Sequence, residues 1–260
     1  MRADRRGLLA AALTAPGLVA SGLALGGRAF AQASSPIPAP APTAADAAAA
    51  ELRLHTDWPW LARYRQANLA DAALPPQRRR VVFLGDSITQ GWFDRHPAFF
   101  TENGFIGRGI GGQTTAQMLA RFWPDVIALK PAAVHLLAGT NDIAGNTGPY
   151  DPVATCDNVR AMAALAKANG VKVILGAVTP AATYPWRPAL RPDVEIPRLN
   201  AWLASFARSQ GHGFADYTAA LEDGHAGMKP GLAYDQVHPT MEGYALMEPV
   251  ALKALRGVRA

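Results

Sequence analysis

Val81-Val82-Phe83-Leu84-Gly85-Asp86-Ser87-Ile88-Thr89 is the stretch on which the reading of this chain turns. Its first half is a short, unbroken apolar run of β-prone residues, the pattern of a strand buried on both faces. Its second half is a polar turn carrying a serine. Similar apolar runs recur at 105–110 (FIGRGI), 133–138 (AVHLLA), 171–177 (VKVILGA) and, weakly, 213–216 (GFAD). Helical stretches are expected between them at 57–68, 114–122, 153–169, 195–210 and 240–256. In 153–169, Val159, Met162, Ala163, Leu165 and Ala166 share one face, and Asn169-Gly170 stops the helix. Continuous apolar strands alternating with helices imply an α/β fold with a parallel sheet covered on both sides. Sites in such sheets lie beyond the carboxyl ends of the strands, where the polar segments of this chain fall.

The termini set the organisation. Met1-Arg2-Ala3-Asp4-Arg5-Arg6-Gly7-Leu8-Leu9, followed by a small and apolar run to Ala29-Phe30-Ala31, reads as an export signal of the twin-arginine type over 1–31. Pro16, the glycines between Gly17 and Gly27, and Arg28 break that run before it reaches the ~20 apolar residues of a bilayer span. No stable membrane span is expected after its removal, and a periplasmic or secreted location is expected. Residues 32–50 are Ala/Pro-rich and read as a linker. Residues 51–260 suit one domain with a full core.

The formal net charge is +5, but removing residues 1–31 takes away four arginines and one aspartate and leaves +2. Arg78-Arg79-Arg80 is the one dense basic run, so nucleic acid is not implied. Cys156 is the only cysteine, which excludes an internal disulfide and CxxC chemistry; it reads as a packed residue. There is no HExxH or clustered ligand pattern for a metal, and no cofactor is implied.

Past the linker the serines are Ser87, Ser205 and Ser209, and the last two sit one turn apart on an expected helix. Ser87 alone lies in a strand-to-helix turn, where its N–H faces an anion site; its competing role is a helix N-cap. It is not in a G-x-S-x-G elbow, which disfavours the α/β-hydrolase architecture. Among six histidines, His135 lies in a strand pattern and reads as a core residue, His55 falls near the tether, and His96, His212 and His225 occupy polar loops and read as solvated. His238 precedes Pro239, and Asp235 stands three residues earlier in the same turn. An acid that fixes a tautomer, a base and a hydroxyl form the set needed for nucleophilic acyl transfer. Available oxyanion donors are the Ser87 N–H, a backbone N–H in the turn 107–112 and the Asn141 amide. Gly107-Arg108-Gly109-Ile110-Gly111-Gly112 also satisfies G-x-G-x-x-G. However, no acid lies between Asp125 and Asp142, where a dinucleotide site needs one.

Taken together, Gly85-Asp86-Ser87, the turn ending Gly111-Gly112-Gln113-Thr114, Gly139-Thr140-Asn141-Asp142 and Asp235-Gln236-Val237-His238 resemble the SGNH/GDSL hydrolase family over about residues 55–256. The segment Arg108 to Thr115 is similar to that of bacterial acylhydrolases akin to platelet-activating-factor acetylhydrolase α-type subunits and carbohydrate acetylesterases. The resemblance implies a flavodoxin-like three-layer α/β/α sandwich with a five-stranded parallel sheet. It implies Ser87 as nucleophile, His238 as base and Asp235 as orienting acid. It also implies Ser87, Gly112 and Asn141 as the oxyanion hole, with the doubled glycine leaving Gly111 as an alternative to Gly112. The expected reaction is release of short acyl groups from an ester. A lipid acylhydrolase, an O-acyltransferase acting on glycans, and a non-catalytic carbohydrate-binding module are the alternatives. Trp92, Tyr184 and Trp186, with Phe93, Trp123 and Tyr150, are candidate cleft aromatics for a small-molecule, glycan or lipid ester, and Arg187 or Arg191 is a candidate for an anionic group. Oligomeric state has no sequence signature here.

Overall fold

The apolar runs form five parallel strands: β1 (Val81–Gly85), β2 (Phe105–Gly109), β3 (Ala133–Leu137), β4 (Lys172–Gly176) and β5 (Gly213–Ala215). The computed structural model describes residues 43–256. The strands lie side by side in the order β2-β1-β3-β4-β5. The helices in chain order are α1 (Ala44–Thr56), α2 (Arg65–Ala72), α3 (Ser87–Arg95), α4 (Pro97–Asn103), α5 (Thr115–Ala120) and α6 (Phe122–Asp125). They continue with α7 (Thr140–Ile143), α8 (Pro152–Ala168), α9 (Pro192–Gln210), α10 (Thr218–Leu221) and α11 (Met241–Ala254).

Alternation along the strands sorts the core into two layers. Val82, Leu84, Val134, Leu136, Val173 and Leu175 face one side, against Met118, Phe122, Val159, Met162, Leu199 and Leu203 of α5, α6, α8 and α9. Val81, Phe83, Ala133, Leu137 and Ile174 face the other, against Trp92, Phe99, Phe100, Tyr217, Tyr244 and Met247. Phe83 is fully buried, touches the rings of Trp92 and Phe100, and stacks on His135 at 4.5 Å. This is a flavodoxin-like α/β/α sandwich. The chain leaves β1 for β2 on one side and then returns past it to β3. That reversal opens a crevice at the carboxyl ends of β1 and β3, where ligands of doubly wound sheets bind.

Four local expectations need correction. The stretch to residue 50 is not all linker. Thr43 and Asp46 form a capping box, and the alanine run behind them, a strong helix former, makes α1 with no buried side chain. The expected export signal and most of the linker lie outside the described residues. Residues 57–64 are turns rather than the start of a helix: Asp57 accepts from the Leu61 and Ala62 amides, and Trp60 has φ +55°. The helix expected to follow Ser87 is α3, but α4, between it and β2, was not expected. His96 is not a solvated loop residue, since its Nδ1 lies 2.8 Å from Glu248 Oε1 between α4 and α11.

Candidate active site

Strand β1 delivers Asp86 and Ser87 to the crevice. Asp86 caps α3, its Oδ1 accepting from the Ile88 amide at 2.9 Å. The capping role considered for Ser87 therefore belongs to its neighbour, and Ser87 is the first helical residue, with an N–H outside the intrahelical pattern. Burial pushes the Asp86 carboxyl up to about 6, against the Ile88 hydrogen bond and the nearby His238, which favour the charged form.

The loop before α11 supplies the partners. Asp235 Oδ1 accepts from the backbone amides of Val237 and His238 at 3.1 and 2.8 Å, while its Oδ2 lies 2.6 Å from His238 Nδ1. Buried Val237 pins this turn to the core, and Gln236 adopts φ +71° at its tip. Tyr234 N–H donates to the His238 carbonyl, closing a narrow loop. Partial burial alone would raise the Asp235 carboxyl, but the His238 ring and backbone hydrogen bonds outweigh it and hold the group below its ordinary value. The far ring nitrogen, His238 Nε2, lies 2.7 Å from Ser87 Oγ. Three side chains spread over 151 positions thus form one continuous hydrogen-bonded line.

Across from this line stand the candidate oxyanion donors. The Gly111 N–H is engaged, donating to Gln90 Oε1 at 2.9 Å. Gly112 has φ +77°, a conformation costly for other residues, and its N–H has no protein acceptor among the described residues. The geometry therefore favours Gly112 of the two glycines. Asn141, in α7 after β3, is 5% exposed; its Nδ2 donates to the Gln113 carbonyl at 3.1 Å and approaches Asp86 Oδ2 at only 3.4 Å. The first contact is a good hydrogen bond and the second a long one, so one amide hydrogen is held and the other is weakly held. Asn146 bridges the Gly112 carbonyl and Asn141 Oδ1 at 3.0 and 2.9 Å. Asp142 anchors α7 by accepting from the Thr115 amide and hydroxyl and from the Thr155 hydroxyl. Gln90 and Asn146 were not singled out from sequence, and Gln113 was quoted only as part of the glycine turn, with no role of its own.

The aromatic expectations divide. Trp92 is not a cleft residue: it is fully buried, stacked between Phe99 and Tyr244 at 5.3 and 5.7 Å. Tyr184 is buried as well, its hydroxyl donating to the Thr140 carbonyl at 3.2 Å, and it backs Trp186 in a 5.3 Å stack. Trp186 is 45% exposed with its ring 6.3 Å from that of His238. Tyr234, unforeseen from sequence, stacks on His238 at 5.7 Å, with the Arg95 guanidinium over its own ring at 5.2 Å. Beyond Trp186 runs a groove of about 570 Å³ lined by Ile143, Tyr150, Arg187, Pro188 and Leu190. Phe93 packs against Phe100 and Trp123 is exposed on α6, while Arg191 is occupied by Asp193 at 2.7 Å. The glycines of the nucleotide-like turn have a packing role: a Cβ on Gly109 would sit 2.1 Å from Gln90 N, and one on Gly107 would sit 2.7 Å from the Phe93 ring.

Comparison with known proteins places this geometry in a family. Residues 83–246 match the model of the GDSL-like lipase/acylhydrolase family. The solved structure of a GDSL-like lipase from Bacteroides thetaiotaomicron shares 44% identity at a TM-score of 0.73, covering 76% of this chain and 98% of that one. An acylhydrolase assigned in Bacteroides fragilis shares 45% identity at a TM-score of 0.74, covering 78% of this chain and 99% of that one. An acetyl xylan esterase is similar in fold at 21% identity and a TM-score of 0.55, over 67% of this chain and 98% of that one. No curated protein sequence matches the chain. With the family model spanning most of the sheet and both ends of the hydrogen-bonded line, the chain belongs to the GDSL-like lipase/acylhydrolase family and is a carboxylic ester hydrolase.

Proposed function

We propose that this protein hydrolyses short-chain acyl esters by double displacement, with Ser87 as nucleophile, His238 as general base and acid, and Asp235 as the orienting acid. The observation that carries the reading is the paired contact of His238, Nε2 to Ser87 Oγ at 2.7 Å and Nδ1 to Asp235 Oδ2 at 2.6 Å. Asp235 keeps the proton on Nδ1, so Nε2 is free to accept the serine proton as Oγ attacks the carbonyl carbon. The developing oxyanion is stabilised by the N–H groups of Ser87 and Gly112 and by the loosely held hydrogen of Asn141. His238 then protonates the departing alcohol, and water repeats the sequence on the acyl-enzyme.

The apolar groove beyond Trp186 favours a second reading, in which a longer acyl chain extends along Tyr150 and Leu190. Initial rates on p-nitrophenyl esters from acetyl to dodecanoyl separate the two. Rates falling with chain length support the short-acyl reading, and rates rising overturn it. Ser87→Ala should lower kcat by at least about 10³-fold; a variant within tenfold of the parent would remove Ser87 from the chemistry. Residues 1–31 as a cleaved export signal, and hence an external substrate, belong to the same proposal. Mass spectrometry of the exported N-terminus tests it, and a retained Met1 would overturn it.

A further inference from the structure

Gln113 lies under the oxyanion loop, 3% exposed, with every polar group committed. Its N–H donates to the Ile110 carbonyl, its carbonyl accepts from Asn141 Nδ2, its Oε1 accepts from Arg121 Nε at 2.5 Å, and its Nε2 donates to the Pro59 carbonyl at 2.7 Å. The last partner belongs to residues 57–72, a segment that lies before the region matched by the family model. It crosses the loop after β2 and is tied down repeatedly. The Tyr64 hydroxyl donates to the Gly109 carbonyl, and Gln117 Nε2 donates to the Trp58 carbonyl at 2.9 Å. Asn68 accepts from Arg108 Nε at 2.8 Å and donates to Asp125 at 2.7 Å, and Asp71 pairs with Arg108 Nη2. Fully buried Arg121 closes the network from beneath, donating to the carbonyls of Gly85 and Arg108, both at 2.9 Å, and pairing with Asp125 at 2.9 Å.

So many buried polar groups are an expensive way to add stability alone. Apolar packing does that more cheaply, whereas a satisfied polar network selects one geometry. The geometry selected here is that of Gln113, the residue that follows Gly112, and of the Gln113 carbonyl that aims Asn141. We propose that residues 57–72 are a positioning strap for the oxyanion hole. The strap acts through Gln113, a positioning residue that touches no substrate itself. This inference rests on the oxyanion roles proposed above for Gly112 and Asn141. Loosening Gln113 lets both donors drift from the developing charge, and displacements near 1 Å cost about 10²-fold in such sites.

The test compares kcat and KM for p-nitrophenyl acetate in Gln113→Leu, Tyr64→Phe, Gln113→Glu and Leu255→Ala, at a temperature where circular dichroism shows each folded. Gln113→Leu should lose about 10- to 100-fold in kcat with KM within threefold, and Tyr64→Phe a smaller part of that. Gln113→Glu keeps the acceptor for Arg121 but loses the donor to the Pro59 carbonyl, so it should lose kcat as Gln113→Leu does. Leu255→Ala cuts a core contact beside α11, whose Ala254 carbonyl abuts the start of β5 at the opposite end of the sheet; it should lower Tm with kcat unchanged. Inhibition by a boronic acid, which mimics the tetrahedral anion, should weaken in step with kcat across the Gln113 series. If the Gln113 and Tyr64 variants track Leu255→Ala, losing Tm but not kcat, the strap is purely structural and the proposal fails alone. A folded parent that turns over no ester overturns the reading of the site and this inference with it.

Discussion

Replacing Asn141 with alanine separates chemistry from architecture at one position. The side chain is 5% exposed and engages the Gln113 carbonyl at 3.1 Å and the Asn146 amide at 2.9 Å, with a long 3.4 Å approach to Asp86. The loosely held hydrogen is the one proposed to meet the oxyanion, and losing one such donor costs about 3 kcal/mol in the transition state, or roughly 10²- to 10³-fold in kcat. The structural loss is smaller. Asn146 is exposed and water replaces its partner, whereas the Gln113 carbonyl is left buried, so stability should fall by about 1–2 kcal/mol. In a domain of this size that lowers Tm by roughly 2–8 °C, which leaves the variant folded at 25 °C. Steady-state kinetics on p-nitrophenyl acetate beside a calorimetric scan reads both quantities. A second variant, Asn141→Asp, keeps the shape, removes both donors and places a second carboxyl against Asp86. A kcat within threefold of the parent in Asn141→Ala, with the expected fall in Tm, would show that Asn141 is a strut and refute the oxyanion assignment.

Trp186→Ala exposes one face of His238 and removes a wall of the groove, so KM for aryl acetates should rise about 3- to 10-fold with a smaller change in kcat; an unchanged KM would place the alcohol elsewhere. Burial holds the His135 imidazole at about 3, so the unfolded chain binds a proton that the native state refuses between pH 6.5 and 3. Stability is then lost as pH falls through that window, by up to about 5 kcal/mol. Asp86 acts with the opposite sign: its carboxyl is raised to about 6, so its contribution is present at low pH and is lost as pH rises from 3.8 through 6, by about 3 kcal/mol. Urea midpoints at pH 7 and pH 4 should fall on acidification in the parent and fall less in His135→Gln, which keeps a polar partner for the Tyr217 hydroxyl; equal losses would refute the assignment to His135.

The strands were legible because β1 is an apolar run and β2, β3 and β4 are broken only by Arg108, His135 and the leading Lys172, a signal that needs no knowledge of neighbours; β5, three residues long, gave only a weak one. Between β1 and β2 only the turn that starts α3 was legible. The segment is polar at its start and carries Gly91, and its burial comes from Phe99 and Phe100 packing on Phe83 on one face of the sheet. Trp92 misled for a geometric reason. It stands five residues from Ser87, and at 100° per residue this rotates it well away from the serine and into the core, where it is fully buried. Ser87, Asn141, Asp235 and His238 were legible as residue types in fixed local contexts, and the fold brings them to one crevice. Gln113, Asn68 and Arg121 were not, because hydrogen bonds such as Gln113 to Pro59, 54 positions apart, leave no periodic trace. Tyr234 was hidden by its position one residue before the aspartate, in a segment whose interest lay in its charges.

The separation of Ser87 from His238 by 151 positions has a consequence for biosynthesis. A ribosome adding about 5–20 residues per second needs roughly 8–30 s to go from one to the other. Throughout that interval the nascent chain carries the hydroxyl without the imidazole proposed to accept its proton. The loop bearing Asp235 and His238 docks only after every strand of the sheet has been made. On the roles proposed for Ser87 and His238, reactivity toward esters arrives only after all five strands, and its recovery during refolding should mark assembly of the whole sheet.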